Sequence, residues 1–295
     1  MQLYKVRLKA KSWLSSQWQA DTIWGHLCWG LKYLYGEQKL SDFIQAYITS
    51  QPPLLLSNGF PDDLLPRPTL PYPPSKEREE FKRQKDAKKV DYLTEEEFCR
   101  ALRGETFYPS PKHSIKSRVT LKNQINRITG TTGEEGNLYS FEEYHYEFIT
   151  IYLKITEGWE DITQALFKYI AETGYGKRKS VGYGWLEMLD FQSFSGFASP
   201  REANAFVSLS NFVPAAHDPT QGYWKVLIKY GKLGEEYANS VNPFKKPLIM
   251  FSAGSVFYDS PIRDYYGRLV HELSSAYSEV AQYGFALPVP LKLEG

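Results

Sequence analysis

The sequence predicts an α+β fold in which two sheet-based units follow one another along the chain. Three observations carry this. Tyr4, Val6, Leu8 and Ala10 alternate with Lys5, Arg7, Lys9 and Lys11, the period of a strand with one apolar and one basic face. Strand signals outnumber helical ones, and they resume after Ser193 to Glu202, a small, polar, irregular stretch that marks a boundary. A length of 295 residues suits one large or two ordinary domains. The units are placed at 1–192 and 203–295.

Taken in order, the strand at the N-terminus is followed by a helix capped by Asp21 or Thr22 and stopped by Gly36 near Tyr35. Ile23, Leu27, Leu31 and Leu34 form its apolar stripe. Trp24, Cys28 and Tyr35 widen that stripe, so the helix is buried on several sides or meets a partner. Ser41 to Thr49 reads as a second short helix and Leu54 to Ser57 as an apolar strand. Six prolines between Pro61 and Pro74 exclude regular helix or central strand. Ser75 to Lys89 is dense in charge, and Thr94 to Glu97 is a capping box opening a helix to Arg103. Residues 61–103 therefore read as an insertion carrying little core.

Ile115, Val119 and Leu121 alternate with Lys116, Arg118 and Lys122. The chain then passes Asn126 and Arg127 into a Gly/Thr/Glu-rich tip and returns as a long strand over Tyr144 to Ile155. The expected hairpin covers 113–155, with a basic first arm able to clasp a polyanion backbone. Asp161 to Thr173 reads as a helix, Gly174 to Gly184 as a loop and Trp185 to Phe191 as a strand. In the second unit Phe206 to Val213, Trp224 to Tyr230, Pro247 to Tyr258 and Phe285 to Leu293 read as strands, with Lys245 and Lys246 as a basic pair. Gly267 to Gln282 fits helix or strand equally.

Composition narrows the function. Lys and Arg number 35 against 34 Asp and Glu, so a nucleic-acid site must be a local stripe rather than a whole-protein field. Cys28 and Cys99 lack metal-ligand spacing, which points to a reducing compartment without disulfides. No signal peptide or membrane-spanning run is read, and the expected location is the cytoplasm.

The loop carries the chemistry. In Thr173-Gly174-Tyr175-Gly176-Lys177-Arg178-Lys179-Ser180-Val181-Gly182-Tyr183-Gly184, glycines bring bare backbone close to a ligand and three consecutive cations supply charge. Tyr175 and Tyr183 offer faces for base stacking. A mononucleotide or dinucleotide loop needs strand, loop, helix, whereas here the order is helix, loop, strand. The same run also reads as a tight turn with a solvated basic tip.

Several segments coincide in order: Ala20 to Trp29, Ser57 to Pro61, Leu65 to Pro68, Ile125 to Gly130, Gly174 to Gly184, Phe244 to Leu248 and Gly254-Ser255. Together they resemble the Cas5-type RAMP subunits of type III-A CRISPR effectors, the fourth Csm subunit family, over nearly the full length. The resemblance implies two modified ferredoxin-like (RRM-like) domains in tandem, a β-hairpin thumb over His113 to Tyr152 and a glycine-rich loop at Gly174 to Gly184. It further implies a subunit in antiviral defence that caps the 5′ repeat-derived tag of the CRISPR RNA. Its neighbours would be the large subunit with polymerase and nuclease domains and the first backbone RAMP subunit, with target RNA reached indirectly. The expected RNA contacts are Gly174, Tyr175, Gly176, Lys177, Arg178, Lys179, Ser180, Gly182, Tyr183 and Gly184, with Lys116, Arg118, Arg127, Lys245 and Lys246. Asn126 stands where relatives often carry an acidic residue.

Related RAMP nucleases cut RNA without metal, using a histidine near the ribose 2′-hydroxyl. His26 on the first helix and His113 at the hairpin are the candidates for that alternative, and His145 also lies on the hairpin. No second acid/base partner stands at a fixed spacing from them, and no carboxylate cluster suits two-metal catalysis. The expectation is RNA binding without cleavage, cofactor or metal. A protein-only scaffold is the remaining alternative.

Overall fold

The computed structural model describes residues 1–111, 115–123, 125, 127–131 and 138–293. His113 and Asn126 lie outside the described residues. The first unit opens with β1 (Gln2–Ala10), α1 (Ala20–Tyr35), α2 (Glu37–Ile48) and β2 (Leu54–Pro61). The short pair β3 (Leu65–Pro66) and β4 (Tyr92–Leu93) brackets α3 (Arg78–Ala87), and α4 (Glu95–Leu102) follows. Next come β5 (Lys116–Asn123), β6 (Leu138–His145), β7 (Phe148–Ile155), α5 (Glu160–Thr173) and β8 (Leu186–Ser193). The main sheet runs β2-β7-β1-β8, with every pair antiparallel. Along the chain the four sheet strands and the helices α1 and α5 succeed one another as β1, α1, β2, β7, α5 and β8.

β1 is central and buries Val6, Leu8 and Ala10 as the alternation requires. Two of the four cations on its basic face are paired within the chain. Arg7 pairs with Asp63 at 3.0 Å and lies over the Phe148 ring, and Lys11 pairs with Glu187 on β8. α1 begins one residue before the expected cap. Gln19 occupies the N-cap position without a side-chain bond, and Asn58 from β2 accepts the Ala20 N–H at 2.9 Å instead. Asp21 is thereby turned inward as a buried first-turn residue. Gly30 lets α1 cross α5 closely, since a Cβ there would sit 2.9 Å from Leu166 Cδ2.

The segment 61–103 differs from expectation. Leu65, Val90, Leu93, Phe98, Ala101 and Leu102 all belong to the principal core, so the insertion seals one side of it. The capping box at Thr94 and Glu97 is present with both reciprocal bonds. The hairpin differs too. β5 pairs with β6 along its whole length, Lys116 opposite His145 and Asn123 opposite Leu138. The chain then breaks, and β7 joins the main sheet as a separate strand. A run of β-branched residues long enough for one strand is thus divided between two sheets.

The second unit comprises β9 (Ala205–Ser208), β10 (Gly222–Tyr223), β11 (Val226–Lys229), β12 (Leu248–Phe251), β13 (Val256–Tyr258), β14 (Tyr266–Gly267), β15 (Phe285–Ala286) and β16 (Pro288–Leu291). Its sheet, β10-β13-β9-β16, is again all antiparallel. Counted within each four-stranded sheet, the strands stand in the same order, second, third, first, fourth. No α-helix is found in this unit among the described residues, and a 3₁₀ turn at Glu235–Asn239 is its helical element. The ambiguous stretch 267–282 is mostly irregular, held by a bridge between Val270 and Gln282.

The two units share one core. Leu209, Tyr283, Phe285 and Leu287 pack in the same cluster as Leu54 to Leu56. The outer edge of β2 is satisfied across the junction: Leu209 O accepts the Asn58 N–H at 2.9 Å, and the Tyr283 hydroxyl oxygen accepts the Leu56 N–H at 2.9 Å. That edge would otherwise be a row of unpaired groups. Among the described residues no helix is long and apolar enough to cross a membrane.

Candidate nucleic-acid interface

α5 ends where Gly174 takes a positive φ of 85°, and the loop that follows folds back on the segment joining β1 to α1. The Lys177 N–H donates to Ser16 Oγ at 2.9 Å, Ser15 Oγ donates to the Lys177 carbonyl at 2.5 Å, and the Gly184 N–H donates to the Trp13 carbonyl at 3.0 Å. The Trp185 N–H donates to Ser12 Oγ at 2.9 Å. Glycine is needed for contact rather than for ligand access at two positions. A Cβ on Gly176 would lie 2.7 Å from Ser16 Cβ, and one on Gly184 would lie 2.0 Å from the Tyr175 carbonyl oxygen. Gly182, at φ 92°, faces open space and is required by its conformation alone.

Tyr175 is not a stacking platform for a base. It is fully buried, its ring stacks on Trp18 with centroids 3.7 Å apart, and its hydroxyl donates to the Gln17 carbonyl at 2.9 Å. Nor is the loop a free cradle of amides. The N–H groups of Gly174, Tyr175, Gly176, Lys177, Val181, Gly182, Tyr183 and Gly184 all have partners inside the chain. Those of Arg178, Lys179 and Ser180 have none among the described residues. They succeed one another where Arg178 adopts the left-handed conformation, φ 64° and ψ 19°.

His26 holds the loop from below. Its Nε2 accepts the Gly176 N–H at 3.0 Å, and its ring tilts against Tyr175. Burial, with the Lys179 charge adding to it, pushes its pKa down to about 3, so the ring is neutral near pH 7. With Nε2 occupied by a backbone donor, the ring acts as a positioning group for the loop.

The three consecutive cations have separate fates. Lys179 pairs with Glu235 of the second unit. Arg178 lies over the Phe141 ring with its guanidinium carbon 4.0 Å from the centroid. Lys177 is exposed, and its ammonium has no partner among the described residues. Ser180 and Gly182 are exposed beside it.

The basic face of the hairpin is partly committed within the chain. Arg118 reaches inward to pair with buried Glu143 and lies 4.1 Å from the Trp13 ring centroid. Lys122 donates to the Tyr183 hydroxyl at 3.2 Å and stands over Phe141. The Tyr183 hydroxyl bonds to Glu143 in turn. Burial opposes ionisation of Glu143, but bonds from Tyr183, Arg118 and Thr120 outweigh it and hold the carboxyl below its usual range. Loop and hairpin are therefore one interlocked body, and Val119, Leu121 and Leu138 face outward. Lys116 and Arg127 are exposed.

Lys245 belongs elsewhere. Its ammonium donates to Gln282 Oε1 at 2.7 Å, beside the Asp21–Lys229 pair that ties α1 to β11, and burial lowers its pKa. Lys246 is exposed and its N–H donates to the Leu273 carbonyl. Sequence reasoning passed over Trp185. It is 61% exposed directly after the loop, with its backbone pinned on both sides. Its signal was visible as an aromatic at a loop-to-strand transition. The described residues bring together no group of His, Cys, Asp and Glu able to hold a metal. The arrangement offers cations at Lys177, Lys116 and Arg127 for an anionic strand and an aromatic face at Trp185 for a base; no paired acid and base stand together at the loop among the described residues.

The class of the chain follows from a four-stranded antiparallel sheet, two helices packed with it and a glycine-rich loop before its last strand. The model of the RAMP superfamily matches residues 19–187, and the chain belongs to that superfamily. Among solved structures the chain is similar to one in the Csm1–Csm4 cassette in complex with pppApA, with TM-score 0.69 and 18% identity over 100% of this chain and 99% of that one. It is similar also to a chain of the Csm1–Csm4 cassette with AMPPNP, with TM-score 0.67 and 17% identity over 100% of both. A chain of the Csm3–Csm4 subcomplex in the type III-A CRISPR-Cas interference complex matches with TM-score 0.64 and 14% identity, over 99% of this chain and 100% of that one. At these identities the likeness is one of fold. No curated protein sequence matches the chain.

Proposed function

We propose that the chain is the Csm4-type subunit of a type III-A CRISPR effector. In this reading it holds the 5′ repeat-derived tag of the CRISPR RNA without cleaving it. It joins the large subunit, which carries polymerase and nuclease domains, to the backbone RAMP subunits in the cytoplasm, and it meets target RNA only through the guide. The observation that carries this is the end-to-end match to chains in complexes that have Csm4 in common. The repeated strand order of the two sheets supports two modified ferredoxin-like domains, and the β5–β6 hairpin stands where the thumb is expected. The occupation of His26 Nε2 by Gly176 supports a non-catalytic role.

In mechanism, the loop is set rigidly by Ser15, Ser16, Trp13 and His26, so little conformational entropy is lost on binding. Lys177 supplies charge, the N–H groups of Arg178 to Ser180 supply donors, and Trp185 supplies a stacking face. Co-expression with a large subunit, a backbone RAMP subunit and a CRISPR array, followed by native mass spectrometry, tests the proposal. A particle containing this chain and a guide with its 5′ tag is expected. Assembly of the other components into a guide-bearing particle without this chain would overturn it.

A further inference from the structure

A cavity of about 360 Å³ lies between the two units beside the base of the hairpin. Its lining includes one buried donor that lacks an acceptor and two side-chain amides with uncommitted NH₂ groups. Trp18 Nε1 is buried with no partner among the described residues. Asn211 Oδ1 accepts from the Ala253 N–H at 2.9 Å and from the Asn58 amide at 3.2 Å, which fixes the orientation of the group and leaves its NH₂ uncommitted. Gln19 Oε1 accepts from Lys229 and leaves its own NH₂ in the same condition. A buried donor without an acceptor is costly, so Trp18 Nε1 favours a ligand that brings an acceptor, and the two amides can add to it.

Charge and shape narrow the class. Arg67 bonds three backbone carbonyls and no carboxylate, so its charge is not neutralised by an ion pair among the described residues. Lys225 is exposed and likewise has no ion pair among them. Asp91 is the one carboxylate among the described lining residues. Tyr92, Tyr144 and Tyr146 contribute aromatic walls. A second cavity of about 260 Å³ shares Tyr92 and Ile115 with the first and includes the cross-strand partners Lys116 and His145 together with the carboxylates Asp62 and Glu147. The pair forms a track beneath the hairpin, which suits a strand better than a free mononucleotide. Pockets of this volume hold ligands of nucleotide size.

We propose that the larger cavity takes one unstacked nucleotide of the bound RNA, its base against the tyrosines and its acceptor edge on Trp18 and Asn211, with phosphate at Arg67 and Lys225. This rests on the reading of the chain as an RNA-binding subunit and adds a site away from the glycine-rich loop.

The test uses the full chain and a single-stranded RNA of guide sequence carrying one abasic substitution at each tag position in turn. The wild type should show one position where losing the base costs about tenfold in affinity, within the range for a single aromatic stack. Ser252→Trp or Ser117→Trp, each filling the cavity from a different strand, should abolish that position's distinction while the RNA still binds. Should Ser252→Trp fail to fold, Ser117→Trp on the exposed hairpin gives the same readout. A flat abasic profile in a wild type that binds RNA overturns the cavity and leaves the RNA-binding reading intact. Failure of the wild type to bind RNA overturns both. Competition of the intact RNA by millimolar uridine or adenosine monophosphate, with a flat profile, would assign the cavity to a free nucleotide and overturn the strand form.

Discussion

The backbone N–H of Gly176 donates to Nε2 of His26 at 3.0 Å, so the first helix grips the glycine-rich loop through an imidazole that must stay neutral. The pKa is about 3 in the folded chain, against an ordinary value of 6.5. The unfolded chain therefore takes up the proton first as pH falls. The stabilisation is complete above pH 6.5 and is lost progressively down to about pH 3. At pH 5 the loss amounts to about 2 kcal/mol. His26→Gln keeps an acceptor for Gly176 and cannot titrate. Urea midpoints at pH 7.5 and pH 5 should fall further for the wild type than for this variant.

Glycine positions in the loop should separate by cause. Gly184→Ala meets the Tyr175 carbonyl and should cost more than about 3 kcal/mol, since left-handed backbone alone costs about 1–2 kcal/mol. Gly182→Ala meets open space and should cost only the smaller amount. Denaturant midpoints of the two variants check the order.

Tyr175→Ala should behave as a core truncation and lower stability by about 3–5 kcal/mol, because the ring is sandwiched on Trp18. Trp185→Ala should leave the thermal midpoint nearly unchanged and weaken binding of single-stranded RNA by about 1–3 kcal/mol. Thermal melts alongside fluorescence anisotropy distinguish the two aromatics.

The order of elements was legible in the sequence because each carries a local signal: alternation in β1, the capping box at Thr94, Gly174 after α5. What the side chains do was less legible. The alternation of β5 shows that Lys116, Arg118 and Lys122 share a face, but it cannot show that Glu143 on β6 and Tyr183 engage Arg118 and Lys122 while Lys116 stays exposed. Lys245 and Tyr175 looked like ligand residues by type, and only long-range packing against Gln282 and Trp18 takes them into the structure. The core role of 61–103 was hidden by its prolines and charges, since Leu65, Val90 and Leu93 are isolated among them.

Lys179 and Lys245 should therefore act on stability rather than on RNA. Lys179→Met removes the partner of Glu235, and Lys245→Met removes that of Gln282. Each should lower the thermal midpoint while leaving the salt dependence of RNA binding as in the wild type.

The most direct measurement is that salt dependence itself, the slope of log K against log salt for single-stranded guide RNA. Replacing Lys116, Lys177 and Arg127 together by alanine should reduce its magnitude by about 2, because each phosphate contact on a single strand contributes about 0.7. A slope equal to that of the wild type would contradict the placement of the RNA along the loop and hairpin.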